Sequence, residues 1–356
     1  MPPPKPALPV GIVYATAAAA LFGASTPLSK LLLGSVDPWL LAALLYLGSG
    51  LGLSLWLLFA SRFTGRASKE APISRADLPW LAGAILFGGV IGPVLLMLGL
   101  TSTPAASASL LLNLEGVLTA LLAWFVFQEN FDSRIALGMA FITGGGLLLS
   151  WTGSSETGVP WGALGIAGAC LAWGLDNNIT RKASGGNPIQ IAAAKGLVAG
   201  TVNLGLALLA GSHMAGIQTV MSAGVVGLVG YGISLTLFVL ALRHLGTART
   251  GAYFSLAPFA GAALSLVIFQ EGFSIHFAIA AALMAIGVWL HLTERHEHEH
   301  THEPLEHNHS HVHDDHHQHQ HSPNDPPGEP HSHPHRHEPL THCHEHFPDI
   351  HHRHEH

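Results

Sequence analysis

A carboxylate in the middle of a long apolar run is the feature of this sequence most able to do chemistry. Glu115 lies in Leu111-Leu112-Asn113-Leu114-Glu115-Gly116, at the centre of a run from 103 to 127. A charge at such a place costs about 2.5–3.5 kcal/mol on insertion scales, so something must offset it. Such a carboxylate binds a cationic or amine group or carries a coupling proton; the structural alternative is a polar clamp held by a neighbouring helix. Asn113 lies two residues away in the same run and is counted with it on a substrate pathway. Lys195 is the only Lys or Arg well inside an apolar run. It could pair with Glu115, with an anionic substrate group, or with Asp176 of Asp176-Asn177-Asn178, and similar depth favours Asp176. A snorkelling lysine is the other reading. Pro27, after Ser25-Thr26, frees backbone carbonyls in the first run, and Asn178 stands 151 residues later, at a repeated position. Broken or polar half-helices at matched positions mark a binding site, though a proline kink can equally serve packing alone.

A second chemistry sits at the C-terminus. Only His213, His244, His276 and His291 precede residue 296, so 23 of the 27 histidines fall in the last 61 positions. Residues 296–321 align on 331–356 with 15 identities in 26, which marks a duplication rather than an artificial tag. Alternating His-x-His brings imidazoles close enough to share Ni²⁺, Co²⁺, Cu²⁺ or Zn²⁺. The candidate ligands in the first copy are His302, His307, His309, His311, His316 and His317, and in the second His337, His342, His344, His346, His351 and His352. Asp314, Asp315 and Cys343 could add to them. No spacing fixes a four-ligand geometry. A Pro- and His-rich segment with few aliphatics is also expected to be disordered, and the two expectations are compatible.

The elements that must hold these residues follow from composition. Of 356 residues, 49% are apolar and 10% are Asp, Glu, Lys or Arg, a balance that suits a bilayer rather than soluble domains. The net charge of −7 excludes a nucleic-acid binder driven by bulk basicity, and two cysteines make no disulfide framework. A bilayer core about 30 Å thick takes about 20 apolar helical residues per crossing. Ten such runs occur, at 11–33, 39–60, 79–100, 103–127, 134–151, 161–180, 189–210, 217–242, 248–269 and 274–292. The first is too long for a signal-peptide core and is expected to be retained. Counting alternate loops, one side collects eleven Lys and Arg and the other only Lys30, which puts both termini in the cytoplasm and requires an even number of spans.

The chain repeats itself. Phe127-Gln128-Glu129-Asn130 recurs as Phe269-Gln270-Glu271-Gly272 at an offset of 142, and Phe22-Gly23 recurs as Trp173-Gly174 at an offset of 151. Five runs per copy is odd, so the second copy crosses the membrane upside down. The expected fold class is an all-α integral membrane protein of ten transmembrane helices in two inverted five-helix repeats, followed by the disordered tail. Its segments are 1–9, 10–151, 152–292 and 293–356.

On these motifs the chain resembles the EamA group of the drug/metabolite transporter superfamily, over roughly residues 10–292. An Ala/Ser-rich helix start leads to a mid-helix proline and an apolar run closed by Glu. The ninth run has Thr247-Ala248, Ala257-Pro258 and Glu271; the fourth departs, with Glu115-Gly116 in the place of Ala-Pro. The resemblance implies a small-metabolite permease, often an exporter, in the inner membrane.

The favoured expectation is a secondary permease for a small polar metabolite, with Glu115, Asn113, Lys195, Asp176, Asn177, Asn178, Pro27, Thr26 and Pro258 on its pathway. No cofactor is required, and the expected partners are substrate, lipid and tail-bound metal, with no nucleic acid and as monomer or homodimer. A divalent-metal transporter using the tail as a buffer is the alternative, and a non-transporting metal sensor is a third. No Walker A motif, HExxH helix or paired-carboxylate arrangement points to ATP hydrolysis or enzymatic chemistry.

Overall fold

A computed structural model describes residues 10–63, 78–127, 133–150, 160–183, 187–238, 240–241, 250 and 253–292. It also describes four short tail segments, 297–302, 306–311, 331–336 and 340–345. The apolar runs are helical. They form α1 (Val10–Leu32), α2 (Pro38–Phe63), α3 (Leu78–Ser102), α4 (Ala105–Leu111), α5 (Leu114–Phe127) and α6 (Ser133–Ser150). These are followed by α7 (Trp161–Ala183), α8 (Pro188–Leu209), α9 (Ile217–Phe238), α10 (Ala257–Phe269) and α11 (Ile275–Leu292). By length and composition, seven helical spans among the described residues can cross a membrane. The chain is a multi-pass membrane protein, and its outward faces fit that setting: Leu55, Phe125 and Val267 are 66%, 64% and 74% exposed.

Boundaries follow local chemistry. Asp37 caps α2, its Oδ1 accepting from the amides of Trp39 and Leu40 at 2.8 and 3.1 Å. Thr103-Pro104 ends α3 and opens α4, because Pro104 cannot donate to the preceding turn and Thr103 is extended before it. Two helices contain π-turns, at Ile85–Ile91 in α3 and Leu228–Ile233 in α9.

Two expectations change. The 248–269 run was expected to carry Pro258 in mid-helix; instead Ser255-Leu256 form a turn and Pro258 lies in the first turn of α10. Proline is tolerated there because first-turn amides have no helical acceptor. The fourth run is also interrupted, at Leu112-Asn113, where amides reach back three residues to Ser109 and Leu110 at 3.3 and 3.0 Å before α5 begins. α1, in contrast, passes through Pro27 without a break.

Four tail segments are extended: β1 (Glu297–His302), β2 (Glu306–His311), β3 (His331–Arg336) and β4 (Leu340–Glu345). β1 pairs antiparallel with β4 and β2 with β3, so each copy of the duplication pairs with the other. The period-two alternation of the His-x-His sequence suits extended backbone.

α2 packs on α8, α6 on α11, α3 on α7, α1 on α10, α5 on α7 and α2 on α9. Small residues allow the close approaches: a side chain on Gly23 would lie 2.2 Å from the Ala257 carbonyl and 3.0 Å from the Gly261 amide.

Candidate functional site

α7 is wedged between α3 and α5, and it carries Asp176, Asn177 and Asn178. Cys170, Gly174, Asn177 and Asn178 recur at helical spacing toward α5. Asn178 Nδ2 donates to Gly174 O at 2.8 Å and reaches Thr119 O of α5 at 3.4 Å. Asn177 Nδ2 donates to Glu115 Oε1 at 2.8 Å. Glu115 is in the first turn of α5, just past the Leu112-Asn113 interruption, where a helix N-terminus favours negative charge. It is half-buried and Asn177 is exposed, so this bond borders open space.

The other face of α7 meets the π-turn of α3. Trp173 Nε1 donates to Gly88 O at 3.0 Å, and Tyr46 Oη of α2 donates to the same carbonyl at 2.6 Å. A π-turn displaces carbonyls from the regular ladder, and here side chains take up the one at Gly88. Asp176 fills the notch beside it: a side chain on Gly88 would lie 1.8 Å from Asp176 Oδ2. Asp176 pairs with Lys195 of α8 and accepts from Thr180 Oγ1 at 2.9 Å. Asn203 Nδ2 adds a bond to Gly89 O at 2.9 Å. Glu115, Asp176 and Lys195 lie within electrostatic reach of one another. With Lys195 paired to Asp176, the contact found for Glu115 is the neutral Asn177.

An aromatic cluster lies alongside. Phe22 of α1 has ring centroids at 6.4 Å from Trp173, 5.9 Å from Tyr231 of α9 and 5.4 Å from Phe254. Tyr231 is also 5.5 Å from Tyr46. Because Phe22 has ring neighbours on three other segments, it sits inside the bundle rather than on a lipid-facing surface.

The sequence candidates separate into groups. Glu115, Asn177, Asn178, Asp176 and Lys195 converge around α7. Asn113 stays local, its Nδ2 donating to Leu110 O at 2.9 Å with Met284 Sδ at 3.9 Å. Thr26 and Pro27 are buried in α1, and Pro258 is in α10, which packs against α1. The aromatic rings, Gly88 and Asn203 were not among the candidates. The sequence signals near them were the Phe22-Gly23 and Trp173-Gly174 pair, read as a repeat marker, and Gly88-Gly89 and Gly230-Tyr231-Gly232, which suit close helix approach. Of the histidine candidates, His302, His307, His309, His311, His342 and His344 lie on the tail strands. His316, His317, His337, His346, His351 and His352 lie outside the described residues, as do Glu129 and Thr247-Ala248 of the repeated motif.

The profile of the EamA-like transporter family matches residues 9–151 and 160–293. The chain belongs to the EamA-like transporter family. This places it among transporters rather than enzymes. Among individual relatives, it is similar to an uncharacterized transporter of Methanothermobacter thermautotrophicus, 30% identical over 217 residues. That match spans 56% of this chain and 62% of the relative. A protein of known crystal structure shares the fold with a TM-score of 0.58 at 19% identity, over 80% of this chain and 96% of its own. The two stretches matched to the family in this EamA-like chain are separated between α6 and α7.

Proposed function

We propose that this EamA-like protein is a ten-span secondary transporter of a small polar metabolite, built from two inverted five-helix halves, with both termini in the cytoplasm. It resides in the inner membrane and works as an exporter. The observation that carries the site is the Glu115–Asn177 bond of 2.8 Å, in which the first half supplies the carboxylate and the second half the amide.

Three regularities support the architecture. The π-turns end at Ile91 and Ile233, 142 residues apart, the offset of the repeated Phe-Gln-Glu motif. The interruptions at Leu112-Asn113 and Ser255-Leu256 are separated by nearly the same distance. Helix contacts also map onto themselves when the halves are exchanged: α3 on α7 corresponds to α1 on α9, and α5 on α7 to α1 on α10. Discontinuous helices at matched positions of two inverted halves are how many secondary transporters build a midplane site.

The pathway comprises Glu115, Asn177, Asn178, Asp176 and Lys195, with Asn113, Thr26, Pro27 and Pro258 shaping the helices beside it. The His-rich tail binds Ni²⁺, Co²⁺, Cu²⁺ or Zn²⁺ on the cytoplasmic side, as a buffer separate from the transported solute. The test is reconstitution in proteoliposomes: Glu115→Gln removes uptake while leaving membrane insertion and folding intact. Normal flux through a folded Glu115→Gln protein would discard the site.

A further inference from the structure

We propose that the duplicated tail holds divalent transition metal in composite sites, each taking imidazoles from both copies and so joining copy to copy. This rests on the metal-binding reading of the tail and adds which histidines act together. β1 and β4 pair so that His298 lies opposite His344, and His300 opposite His342. Opposite residues of an antiparallel ribbon share a face, as do residues two apart on one strand, so these four histidines occupy one face. β2 and β3 repeat the pattern. His307 lies opposite His335, His309 opposite His333 and His311 opposite His331, which puts six histidines on one face. No histidine of the four strands falls on the other face of its ribbon. Cys343 does, opposite Glu299, which sets it apart from these imidazoles. A slip of one residue would set every histidine opposite a residue of another type.

Burial does not account for the pairing. An isolated two-stranded ribbon is marginal in water unless an apolar face packs on something, and Leu340 is the one aliphatic residue on these strands. A shared metal supplies the missing link. Opposite Cβ atoms lie about 4.5–5.5 Å apart, whereas neighbours two apart along one strand are about 6.5 Å apart. The nearest histidine position to each of these four is therefore on the other copy, not on its own strand. Metal–imidazole bonds of about 2.0–2.1 Å let one ion span an opposite pair, and imidazole suits Ni²⁺, Cu²⁺ and Zn²⁺. Among the described residues no group of three His, Cys, Asp or Glu side chains is already gathered to hold an ion. The ion itself draws the imidazoles together, so that binding is coupled to ordering of the ribbon.

The experiment titrates Zn²⁺ alone, by calorimetry, into the purified full-length chain in nanodiscs and into the chain lacking residues 296–356. His298→Ala with His300→Ala removes ligands of the first copy, and His342→Ala with His344→Ala those of the second. Each pair is expected to weaken the same sites by about tenfold or more, since losing even an outer partner of a ligand costs about 10–100-fold. All four replacements together are expected to weaken them little further than either pair, because the two pairs act as one unit. Cys343→Ser is expected to leave the affinity unchanged. A second readout follows the geometry. Spin labels on Thr301→Cys and Thr341→Cys, opposite each other on the face without histidines, are placed in the Cys343→Ser chain. They are expected to show strong dipolar coupling at saturating Zn²⁺, and much less once His298 and His300 are replaced. Losses from the two pairs that simply add, or labels uncoupled at saturating Zn²⁺, overturn the composite sites and leave each copy binding metal by itself. Equal Zn²⁺ binding by the full chain and the tail deletion overturns the metal-binding tail, and these sites with it.

Discussion

Glu271 Oε1 accepts the backbone amide of Ala105 at 2.8 Å, and its Oε2 accepts that of Ala106 at 3.1 Å, from a position 166 residues further along the chain. The carboxylate thus caps α4, the helix that opens the fourth run. On the other side of the Thr103-Pro104 break, Lys30 donates to the carbonyls of Leu100 and, at 3.0 Å, Thr103. Both helix ends at this junction are satisfied by a charge of the sign their dipoles favour. Glu271→Ala should cost about 0.5–2 kcal/mol, the usual range for losing an N-terminal cap. Glu271→Gln should cost less, since its amide oxygen still accepts one bond. The thermal unfolding midpoint in detergent measures both, and an unchanged midpoint for the alanine variant would show that water replaces the carboxylate.

Glu271 is aimed by the residue before it. Gln270 has φ +49°, a left-handed conformation, and it follows the last turn of α10 directly. A side chain there costs about 1–2 kcal/mol relative to the right-handed region, and glycine avoids that cost. Gln270→Gly is therefore expected to raise the unfolding midpoint while keeping the cap. A lower midpoint would mean that the glutamine side chain contributes more than its backbone loses.

Asp176 and Lys195 are a largely buried ion pair, with side chains 8% and 15% exposed. Removing one member leaves the other charged in a poorly solvated place, which costs about 3–5 kcal/mol for buried pairs. Lys195→Met alone should therefore lower the yield of folded protein sharply. The double replacement Asp176→Asn with Lys195→Met should restore much of it, because no uncompensated charge remains. Comparing size-exclusion profiles of the two single variants and the double variant decides the point. Equal losses that add independently would contradict the coupling.

Gly88→Ala and Gly116→Ala form a matched contrast. A methyl on Gly88 would meet Asp176 Oδ2 at 1.8 Å, whereas one on Gly116 has nothing within 4 Å. The first should disrupt the α3–α7 packing and the ion pair behind it, with little folded protein recovered. The second should be neutral or slightly stabilising, since alanine restricts the unfolded chain more than glycine does. Recovery of both at the same level would mean that α3 and α7 can separate at little cost.

The sequence showed the helices and the charges well and the site's walls poorly. Apolar length marks a helix in a bilayer, so nearly every run between 11 and 292 coincides with a described helix to within a few residues. Glu115, Asp176 and Lys195 stood out because charge inside such a run is costly and rare. Phe22, Tyr46, Trp173 and Tyr231 did not, because a ring facing the interior and a ring facing lipid occupy the same kind of apolar sequence. Their convergence depends on four helices packing together. Helix breaks were legible only where proline forced them. Pro104 marks one, but the interruption at Leu112-Asn113 has no proline, and Pro27 marks none, since α1 continues through it. A missing donor costs one hydrogen bond, and neighbouring helices can absorb that loss in a membrane.

The tail offers a separate prediction, because its histidines are far in sequence from the carboxylates of the helices. Deleting residues 296–356 should leave the family-matched region of 9–293 intact, with unchanged insertion and unfolding midpoint. Cellular Ni, Co, Cu and Zn should then be measured by elemental analysis in a strain lacking the protein and in strains expressing the full chain, the tail deletion or Glu115→Gln. If the tail is a buffer, metal retained by the cell falls with the deletion and is indifferent to Glu115→Gln, because a histidine cluster supplies neutral-imidazole ligands to the metal without any help from the membrane site. If metal content instead follows Glu115 as closely as the tail, the helices themselves carry metal. A pathway for a small polar metabolite would not produce that dependence, so this single comparison decides between an organic and an inorganic cargo.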